Sequence, residues 1–354
     1  MKKIKVLVVG LGNMGMSHAR AYQAISEFEI VGLCSRGIES RLDLKKEFPG
    51  VPLFSDYASA IGILKPDAVS INTWPDTHAA YAKLALRAGC HVFIEKPLAG
   101  TVEEAREIAA LAKGANLKLV IGYILRVHPS WIKFVELGKG LGKPLVMRMN
   151  LNQQSSGEQW QVHKHLMNSI SPLVDCGVHY VDVMCQVTGA KPVRVHAMGV
   201  RLTPEIKDTM YNYGQLQVTF DDGSIGWYEA GWGPMMSETA FFVKDMIGPK
   251  GSVSIVMDES KTSSSDVDSH TRTNSLRVHH AKLNDRGSFA ATDDILHMSE
   301  EPGHQDLCNR EQENFRDIIL QDRDVTEHVN DAINSLRIVL AADESIRTGQ
   351  VVAL

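Results

Sequence analysis

The stretch IKVLVVGLGNMGMSHARAY, residues 4–22, decides the fold of this chain. Its first six residues form an apolar, β-branched run that is typical of a buried strand. The glycines that follow have the spacing G-x-G-x-x-G and open a helix. In this context the loop is typical of a dinucleotide site, because it brings a pyrophosphate to the helix N-terminus. The expected loop contacts are Gly10, Gly12, Asn13, Met14 and Gly15.

Each glycine of this loop has its own expected task. Gly10 permits the tight turn, Gly12 lets the backbone approach the pyrophosphate, and Gly15 allows close packing of the helix. The alternative is a glycine-rich turn that binds no ligand.

Residues 4–122 alternate short β-branched runs with helical stretches. Strands are predicted at residues 4–9, 29–34, 68–71, 90–94 and 118–122. A capping box at residues 101–104 begins one helix, and Gly89 ends the preceding one, predicted over residues 78–88. This alternation predicts a first domain, residues 1–123, with the doubly wound parallel sheet of a Rossmann fold.

The pattern changes in residues 124–354, which we assign to a second domain. Longer alternating runs predict one large, mainly antiparallel sheet that is buried on one face. Strands are expected at residues 145–152, 194–200, 214–220, 225–230 and 241–247. Residues 221–224 predict a hairpin turn and residues 258–274 a polar loop. Helices over residues 305–321 and 329–348 are expected to pack back on the body.

Length and composition restrict the classes of function. A chain of 354 residues favours two domains. A net charge of −5 disfavours nucleic acid and anionic membranes as partners. The N-terminal apolar run is too short for a secretory leader or a membrane span, so a cytoplasmic location is expected. Five scattered cysteines indicate reduced thiols.

The residues after the second predicted strand bear on the choice between NAD and NADP. An acidic residue there ordinarily holds the ribose 2′-hydroxyl of NAD. This chain has Cys34, Ser35 and Arg36 instead. Because Ser35 and Arg36 can hydrogen-bond and pair with a 2′-phosphate, we expect NADP to be preferred, with NAD as the alternative. In the other interpretation Arg36 is a solvated loop residue and either cofactor binds.

Two clusters of polar residues are candidates for the chemistry. Glu95 and Lys96 follow a predicted strand, at the carboxyl edge where open α/β sheets bind ligands. Asp175 and His179 are four residues apart and share a face if their segment is helical. Gly177 between them is unfavourable in a helix interior, which suggests a close approach to another group.

These side chains suit hydride transfer from a carbinol. The reaction needs a hydride acceptor, a group that takes the hydroxyl proton and a group that stabilises the developing oxyanion. His179 suits the proton transfer, since imidazole titrates near neutral pH. Lys96 would polarise the oxygen, and Asp175 would orient the substrate or tune the other two.

Five motifs in order resemble the signatures of the Gfo/Idh/MocA oxidoreductase family, which includes glucose-fructose oxidoreductases and inositol dehydrogenases. They are the glycine loop, TWPDTH at 73–78, EKP at 95–97, GYILRVHP at 122–129 and D-x-G-x-H-x-x-D at 175–182. Together they span essentially the whole chain.

The resemblance implies roles for individual residues. Lys96, Asp175 and His179 form the catalytic group, with His179 as acid/base. Further cofactor contacts on the nicotinamide side are Thr73, Trp74, Pro75, His78, Glu95 and Lys96. The substrate-binding residues are expected to be Lys96, Tyr123, Arg126, Trp160, Asp175 and His179. The resemblance also implies that residues 124–354 form an α/β domain for substrate binding and oligomerisation, whose large open, mainly antiparallel sheet forms homodimers or homotetramers.

The chain departs from the family pattern at two places. Residues 168–174 read NSISPLV, where many members have a glycine-rich run, so the local wall of the substrate pocket should differ. Ser35 replaces the usual acidic cofactor residue.

Other aromatic and histidine residues allow two interpretations. Trp160, His163 and His165 could contact a sugar, or they could be ordinary packing and surface residues. Four histidines could suggest zinc, but no spacing completes a ligand set with the cysteines, so no metal is expected. The histidines concerned are His163, His165, His279 and His280.

The expected function is an NAD(P)-dependent dehydrogenase or reductase acting on a sugar, a cyclitol or a related polyol. Two alternatives remain: a glycosidase that oxidises and re-reduces its sugar with bound NAD, and a non-enzymatic protein that senses the dinucleotide.

Overall fold

A computed structural model describes residues 3–236, 243–256, 271, 273–299 and 301–354. The chain divides into two compact units. The first contains Met1–Val127 and Gly303–Ile333, and the second contains His128–Pro302 and Asn334–Leu354. The division lies close to the expected boundary, but a segment near the C-terminus belongs to the first unit.

The first unit contains a six-stranded parallel sheet. Its strands are β1 (Ile4–Val9), β2 (Phe28–Cys34), β3 (Leu53–Phe54), β4 (Ala68–Ile71), β5 (His91–Glu95) and β6 (Leu119–Gly122). They lie in the order β3-β2-β1-β4-β5-β6, which is the order of dinucleotide-binding folds. The predicted fold class is confirmed. The two-residue β3 was not predicted, because it is too short to show a periodic pattern.

Five helices connect these strands. They are α1 (Asn13–Ala24), α2 (Leu42–Glu47), α3 (Tyr57–Leu64), α4 (Pro75–Arg87) and α5 (Val102–Gly114). Thr101 caps α5 as the sequence predicts, since its side chain accepts a hydrogen bond from the Glu104 amide. Helix α4 begins at Pro75, three residues before the predicted start, because proline suits the first helical position.

The C-terminal helices are α10 (His304–Leu320) and α11 (Thr326–Thr348), close to the predicted bounds. Helix α10 packs against α1. Phe315 and Ile318 of α10 lie in the same buried cluster as Phe28 and Phe93 of the sheet. This burial of apolar side chains holds α10 in the first unit.

The second unit contains a nine-stranded sheet. Its strands are β7 (Val146–Gln154), β8 (Pro192–Val200), β9 (Tyr213–Phe220), β10 (Ile225–Gly233), β11 (Lys244–Gly248), β12 (Gly251–Val256), β13 (Ser275–His280), β14 (Asp294–His297) and β15 (Val352–Ala353). Every neighbouring pair is antiparallel except β7 and β10. The mainly antiparallel sheet is therefore confirmed. The first residues of the strand predicted over 241–247 lie outside the described residues. Most of the loop predicted over 258–274 lies outside them as well.

Helices cover one face of this sheet. They are α6 (Pro129–Gly140), α7 (Gly157–Leu166), α8 (Pro172–Asp175) and α9 (Gly177–Thr188). Side chains alternate along β9, where Leu216 and Val218 are buried and Gln217 is exposed. Within the described part of the chain, the helices are all too short or too polar to cross a membrane.

Candidate active site

The glycine loop after β1 has the geometry that its sequence predicts. Gly10 has φ of 83°, and a Cβ atom there would lie 2.5 Å from the carbonyl oxygen of Asn72. A Cβ at Gly15 would lie 1.8 Å from the carbonyl oxygen of Gly10, whereas a Cβ at Gly12 would meet no atom within 4 Å. At Gly10 and Gly15 a side chain would clash with neighbouring backbone atoms, so only glycine fits. At Gly12 the space is open.

The N-terminus of α1 fits the pyrophosphate of a dinucleotide. Gly12 is the N-cap residue, it provides no side-chain cap, and the first turn carries no acidic residue. The first amides of the helix are therefore available to an anion, which the helix dipole also favours. The space beside Gly12 admits the phosphates, so the residues present fit the cofactor.

The residues after β2 include two arginines, Arg36 and Arg41, that could reach a 2′-phosphate. Arg36 is exposed, and its guanidinium has no hydrogen-bond or ion-pair partner among the described residues. Arg41, which the sequence reasoning missed, donates a 3.0 Å hydrogen bond to the carbonyl of Leu11 in the glycine loop. Asp43 neutralises Arg41 through a 2.7 Å ion pair. Arg36 is thus the more available of the two arginines for a 2′-phosphate.

His78 connects the Thr73 segment to the EKP segment. Its Nδ1 lies 2.7 Å from the Pro97 carbonyl oxygen, and its Nε2 lies 3.0 Å from the Thr73 carbonyl oxygen. Burial lowers the pKa of His78 although both carbonyls favour the charged ring. The ring fixes the loop after β4 relative to the residue after Lys96. Trp74, at the N-cap of α4, is exposed.

Glu95 anchors the end of β5 immediately before Lys96. Its Oε1 lies 2.7 Å from His18 Nε2, and its Oε2 accepts a 3.2 Å hydrogen bond from the Lys96 amide. Burial alone raises the pKa of Glu95, but the hydrogen bond from His18 and the charge of Lys96 outweigh it, so the pKa falls below its ordinary value. Glu95 is therefore an ionised, fixed group, and Lys96 itself is half-buried.

The same buried network includes two residues of α10 that the sequence reasoning missed. Gln312 Nε2 lies 2.9 Å from His18 Nδ1. Burial and the nearby charge of Glu95 raise the pKa of Glu311 well above its ordinary value. The environments of the two carboxyl groups thus push their pKa values in opposite directions. No local pattern marks this network, because His18 and Gln312 are 294 residues apart.

Tyr123 and Arg126 lie after β6 in the first unit. Arg126 Nη2 forms a 2.9 Å ion pair with Asp331 at the start of α11, and the guanidinium lies 5.9 Å from the centre of the Tyr123 ring. Tyr123 is buried and packs edge-on against His328. Their expected contact with substrate stays a prediction.

In the second unit, a buried network fixes the start of α8. Ser171 caps the helix by accepting a hydrogen bond from the Val174 amide, and Pro172 occupies the first helical position. The Ser171 hydroxyl also donates to Asp343 at 2.8 Å. Tyr211 donates to the same carboxylate. Sequence reasoning assigned no role to Tyr211 or to Asp343.

Asp175 and His179 lie on two short helices rather than on one. Asp175 ends α8, Cys176 separates the helices, and His179 lies in the first turn of α9. Asp175 is half-buried and His179 is buried. A Cβ atom at Gly177 would lie 3.1 Å from the ring of Tyr228 and 3.3 Å from Val339. The close approach that Gly177 suggested is therefore to protein side chains.

His163 lies in the same unit as Asp175. Its ring stacks on Trp232 at 4.5 Å, and its Nδ1 lies 2.9 Å from Ser155 Oγ. Burial lowers the pKa of His163 to about 4, although the charge of Asp175 acts in the opposite direction. His163 is therefore neutral at physiological pH.

Trp160 of α7 is buried, and its side chain contacts Glu205 and Lys164. Its Nε1 donates a 3.3 Å hydrogen bond to Glu205, and the ammonium of Lys164 lies 5.5 Å from the ring centre. These contacts favour the packing interpretation over a sugar contact.

Two other histidines, His279 and His280 on β13, pair with Asp293 and Asp294 at 2.8 Å.

Family comparisons identify both parts of the chain. Residues 4–123 match the Gfo/Idh/MocA family, described as an oxidoreductase family with an NAD-binding Rossmann fold. Residues 137–253 match the Gfo/Idh/MocA C-terminal domain. The chain belongs to the Gfo/Idh/MocA oxidoreductase family. The resemblance seen in the five motifs is confirmed, and with it an oxidoreductase class.

Individual relatives of this Gfo/Idh/MocA chain are dehydrogenases of sugars. UDP-N-acetylglucosamine 3-dehydrogenase of Acidithiobacillus ferrooxidans is 32% identical over 206 residues, 57% of this chain and 59% of the relative. The match thus spans less than two thirds of that relative. D-glucoside 3-dehydrogenase of Escherichia coli is 24% identical over 71% of this chain and 77% of its own.

A solved structure has the same fold over nearly the whole length. It is scyllo-inositol dehydrogenase from Lactobacillus casei with bound NAD(H) and scyllo-inositol. The TM-score is 0.77 and the identity 23%, over 99% of each chain. At this identity the likeness concerns the fold alone.

Proposed function

We propose that this protein is an NAD(P)-dependent dehydrogenase that oxidises a secondary hydroxyl group of a sugar, a cyclitol or a related polyol. The observation that carries the proposal is the glycine loop, in which Gly10 and Gly15 are packed against backbone and Gly12 alone faces open space at an uncapped helix N-terminus. Membership of the Gfo/Idh/MocA family and the names of the relatives support the polyol class of substrate.

The proposed chemistry assigns one task to each catalytic residue. The bound nicotinamide supplies the acceptor for the hydride that leaves the carbinol carbon. His179 takes the proton of the hydroxyl group, so the carbinol becomes a ketone. The Lys96 ammonium stabilises the negative charge that develops on the oxygen, and Asp175 orients the hydroxyl group.

Two buried networks support these residues within their own units. In the first unit, Glu95 fixes the Lys96 backbone and is itself held by His18. In the second unit, Asp343 fixes Ser171, the N-cap of the helix that ends at Asp175. We propose that both networks hold the reacting groups in a narrow range of positions, which hydride transfer requires.

The first experiment measures absorbance of the reduced nicotinamide with a panel of inositols, glucosides and nucleotide sugars, each with NAD and with NADP. Formation of one equivalent of reduced cofactor per substrate oxidised is the expected result. Release of free sugar without net reduction would favour the glycosidase. Cofactor binding by fluorescence without turnover of any panel member would favour the sensor.

Lys96→Ala tests the oxyanion assignment. We expect kcat to fall at least about a hundredfold, the scale of losing one positioned stabiliser. Lys96→Arg keeps the charge and should retain part of the activity, while Lys113→Ala, on the exposed end of α5, is the matched control. Near wild-type turnover of a folded, cofactor-binding Lys96→Ala variant would remove Lys96 from the mechanism.

We propose NADP as the preferred cofactor, with NAD as the alternative, because Arg36 is exposed at the place where NAD-binding folds carry an acidic residue. Arg36→Ala should raise the KM for NADP about tenfold or more and leave the KM for NAD unchanged, since a hydrogen bond to a charged group contributes about 1.5–3 kcal/mol. Equal effects on both cofactors would show that Arg36 does not read the 2′-phosphate.

We also propose that the open face of the second sheet forms a homodimer or homotetramer. An apolar groove of about 450 Å³ on this face is lined by side chains that include Val146, Ile225 and Trp227. Sedimentation equilibrium tests the assembly, and a monomer at micromolar concentration would contradict it. The cytoplasmic location stays a prediction.

A further inference from the structure

Three potential metal ligands lie together where α10 packs on α1 in the first unit, and a fourth, His304, lies beside one of them. His304, Cys308 and Glu311 have the spacing i, i+4, i+7 and so share one face of α10. One ligand atom each from His18, Cys308 and Glu311 lies within 4.8 Å of the others. His304 Nε2 lies 3.7 Å from Cys308 Sγ. The proposed dehydrogenase chemistry uses neither Cys308 nor Glu311.

The buried carboxyl group of Glu311 is the feature that indicates a ligand. Glu311 is 4% exposed, and neither of its carboxyl oxygens has a hydrogen-bond partner among the residues that the structure describes. Burial of such a group without a partner is unfavourable, and buried carboxyl groups ordinarily pair or coordinate a metal. Its neighbours at the cluster are an imidazole and a thiol, both fully buried.

His18 has the hydrogen bonding of a metal-binding histidine. Its Nε2 donates to Glu95 at 2.7 Å, which leaves Nδ1 with a lone pair directed toward α10. Gln312 Nε2 donates to that lone pair at 2.9 Å. Metal-ligating histidines generally donate their second ring N–H to a carboxylate, which fixes the ring and strengthens the ligand.

We propose that His18, Cys308 and Glu311 bind a zinc ion, with His304 as the fourth ligand. One thiolate and one carboxylate neutralise the dication, so the ion and its four ligands together carry no net charge. Imidazole, thiolate and carboxylate are the ligands that zinc takes in tetrahedral sites, where neighbouring ligand atoms lie about 3.5 Å apart. The ligand atoms of His18, Cys308 and Glu311 lie within 4.8 Å of one another, and His304 Nε2 lies 3.7 Å from Cys308 Sγ, so side-chain movements would complete the geometry.

The ion has a structural role in this arrangement. It links α10 to α1, the helix that follows the glycine loop, and it replaces the Gln312 amide at His18 Nδ1. Four protein ligands leave no open position, so the site is closed to substrate.

Cobalt(II) titration of the metal-free, full-length protein tests the site. We expect one equivalent to bind with a thiolate-to-cobalt charge-transfer band, and zinc to abolish that band by displacement. Glu311→Gln keeps the thiol and should weaken binding at least about tenfold, because ligand sets are sensitive even to their outer partners. Cys308→Ser should lose the band, and Cys185→Ser, which changes another buried cysteine, should keep it.

Absence of a thiolate band in a folded, dinucleotide-binding wild-type protein would overturn the proposal. So would a band that persists unchanged in Cys308→Ser or in Glu311→Gln. If Cys308→Ser fails to fold, X-ray absorption of the zinc-loaded wild type decides: one sulfur and three nitrogen or oxygen neighbours support the site, and a shell without sulfur contradicts it. Neither readout depends on dehydrogenase activity.

Discussion

The glycine loop of the first unit and the α8–α9 segment of the second both place a glycine at the start of a helix, but in different surroundings. A Cβ atom at Gly12 would meet nothing within 4 Å, whereas one at Gly177 would lie 3.1 Å from Tyr228. Open space at a helix N-terminus suits a ligand, and filled space suits packing. The same residue type thus occupies an open position in one motif, where we propose that the pyrophosphate binds, and a packed position in the other.

The largest expected effect is that of Gly15→Ala. A Cβ atom there would lie 1.8 Å from the Gly10 carbonyl oxygen, so the backbone of the loop must move. We expect a loss of about 3 kcal/mol in the free energy of unfolding, at the upper end for overpacking. Cofactor affinity should fall at least about a hundredfold, which is about 2.7 kcal/mol. Urea unfolding and fluorescence titration measure the two.

Gly12→Ala is the matched control in the same loop. Its Cβ enters open space, so stability should change by no more than about 0.5 kcal/mol. Affinity for the dinucleotide should still fall, because the methyl group occupies space needed by the pyrophosphate. Unchanged cofactor affinity in both variants would contradict the assignment of the loop.

The next effect is the acid sensitivity of the second unit through His163. Its pKa is about 4 in the folded protein and near 6.5 when unfolded. Below pH 6.5 the unfolded chain binds a proton that the folded chain does not. The free energy of unfolding therefore decreases as the pH is lowered from 6.5 toward 4. The loss reaches about 3 kcal/mol at pH 4 and then levels off. Chemical unfolding between pH 8 and pH 4 measures it.

His163→Gln should flatten this pH dependence by about the same amount. His165→Gln, an exposed change on the same helix, should leave it as in the wild type. Identical slopes for the wild type and His163→Gln would show that the ring is not the group responsible.

The smallest expected effect is that of Gly177→Ala. The new methyl group would press on the fully buried Tyr228 ring, and we expect a net loss of about 1 kcal/mol after the better helix propensity of alanine. Dinucleotide affinity should be unchanged. A large loss of dinucleotide affinity in Gly177→Ala would contradict the conclusion that Gly177 serves only packing.

Much of the fold could be predicted because its signals are local. The run at β1 and the capping box at Thr101 involve neighbouring residues only. The predicted strands of both sheets lie within a few residues of those observed. Sequence reasoning missed β3, which has only two residues, and the break at Cys176, which retains helical backbone angles. It also did not predict the strands β12, β13, β14 and β15 of the second sheet.

The candidate site divides in the same way. Lys96, Asp175 and His179 were predicted from motifs, whereas Arg41, His18 and Gln312 were not. His18 and Gln312 lie in helices whose periodicity is that of ordinary amphipathic helices, and Arg41 lies in the turn just before α2. Only their contacts reveal them: Arg41 hydrogen-bonds the glycine loop, and His18 and Gln312 belong to the buried network of Glu95.

The sequence by itself determined the dinucleotide fold, the family and the candidate catalytic residues, because each is written in a contiguous motif whose physical requirement is local. Only the tertiary structure decided that α10 belongs to the first unit and that Glu311 is buried beside Cys308 and His18. The physical reason is that burial of the apolar face of α10 is a long-range interaction. It brings His18 of α1 beside Cys308 and Glu311 of α10, a contact between distant parts of the chain that no local spacing could reveal.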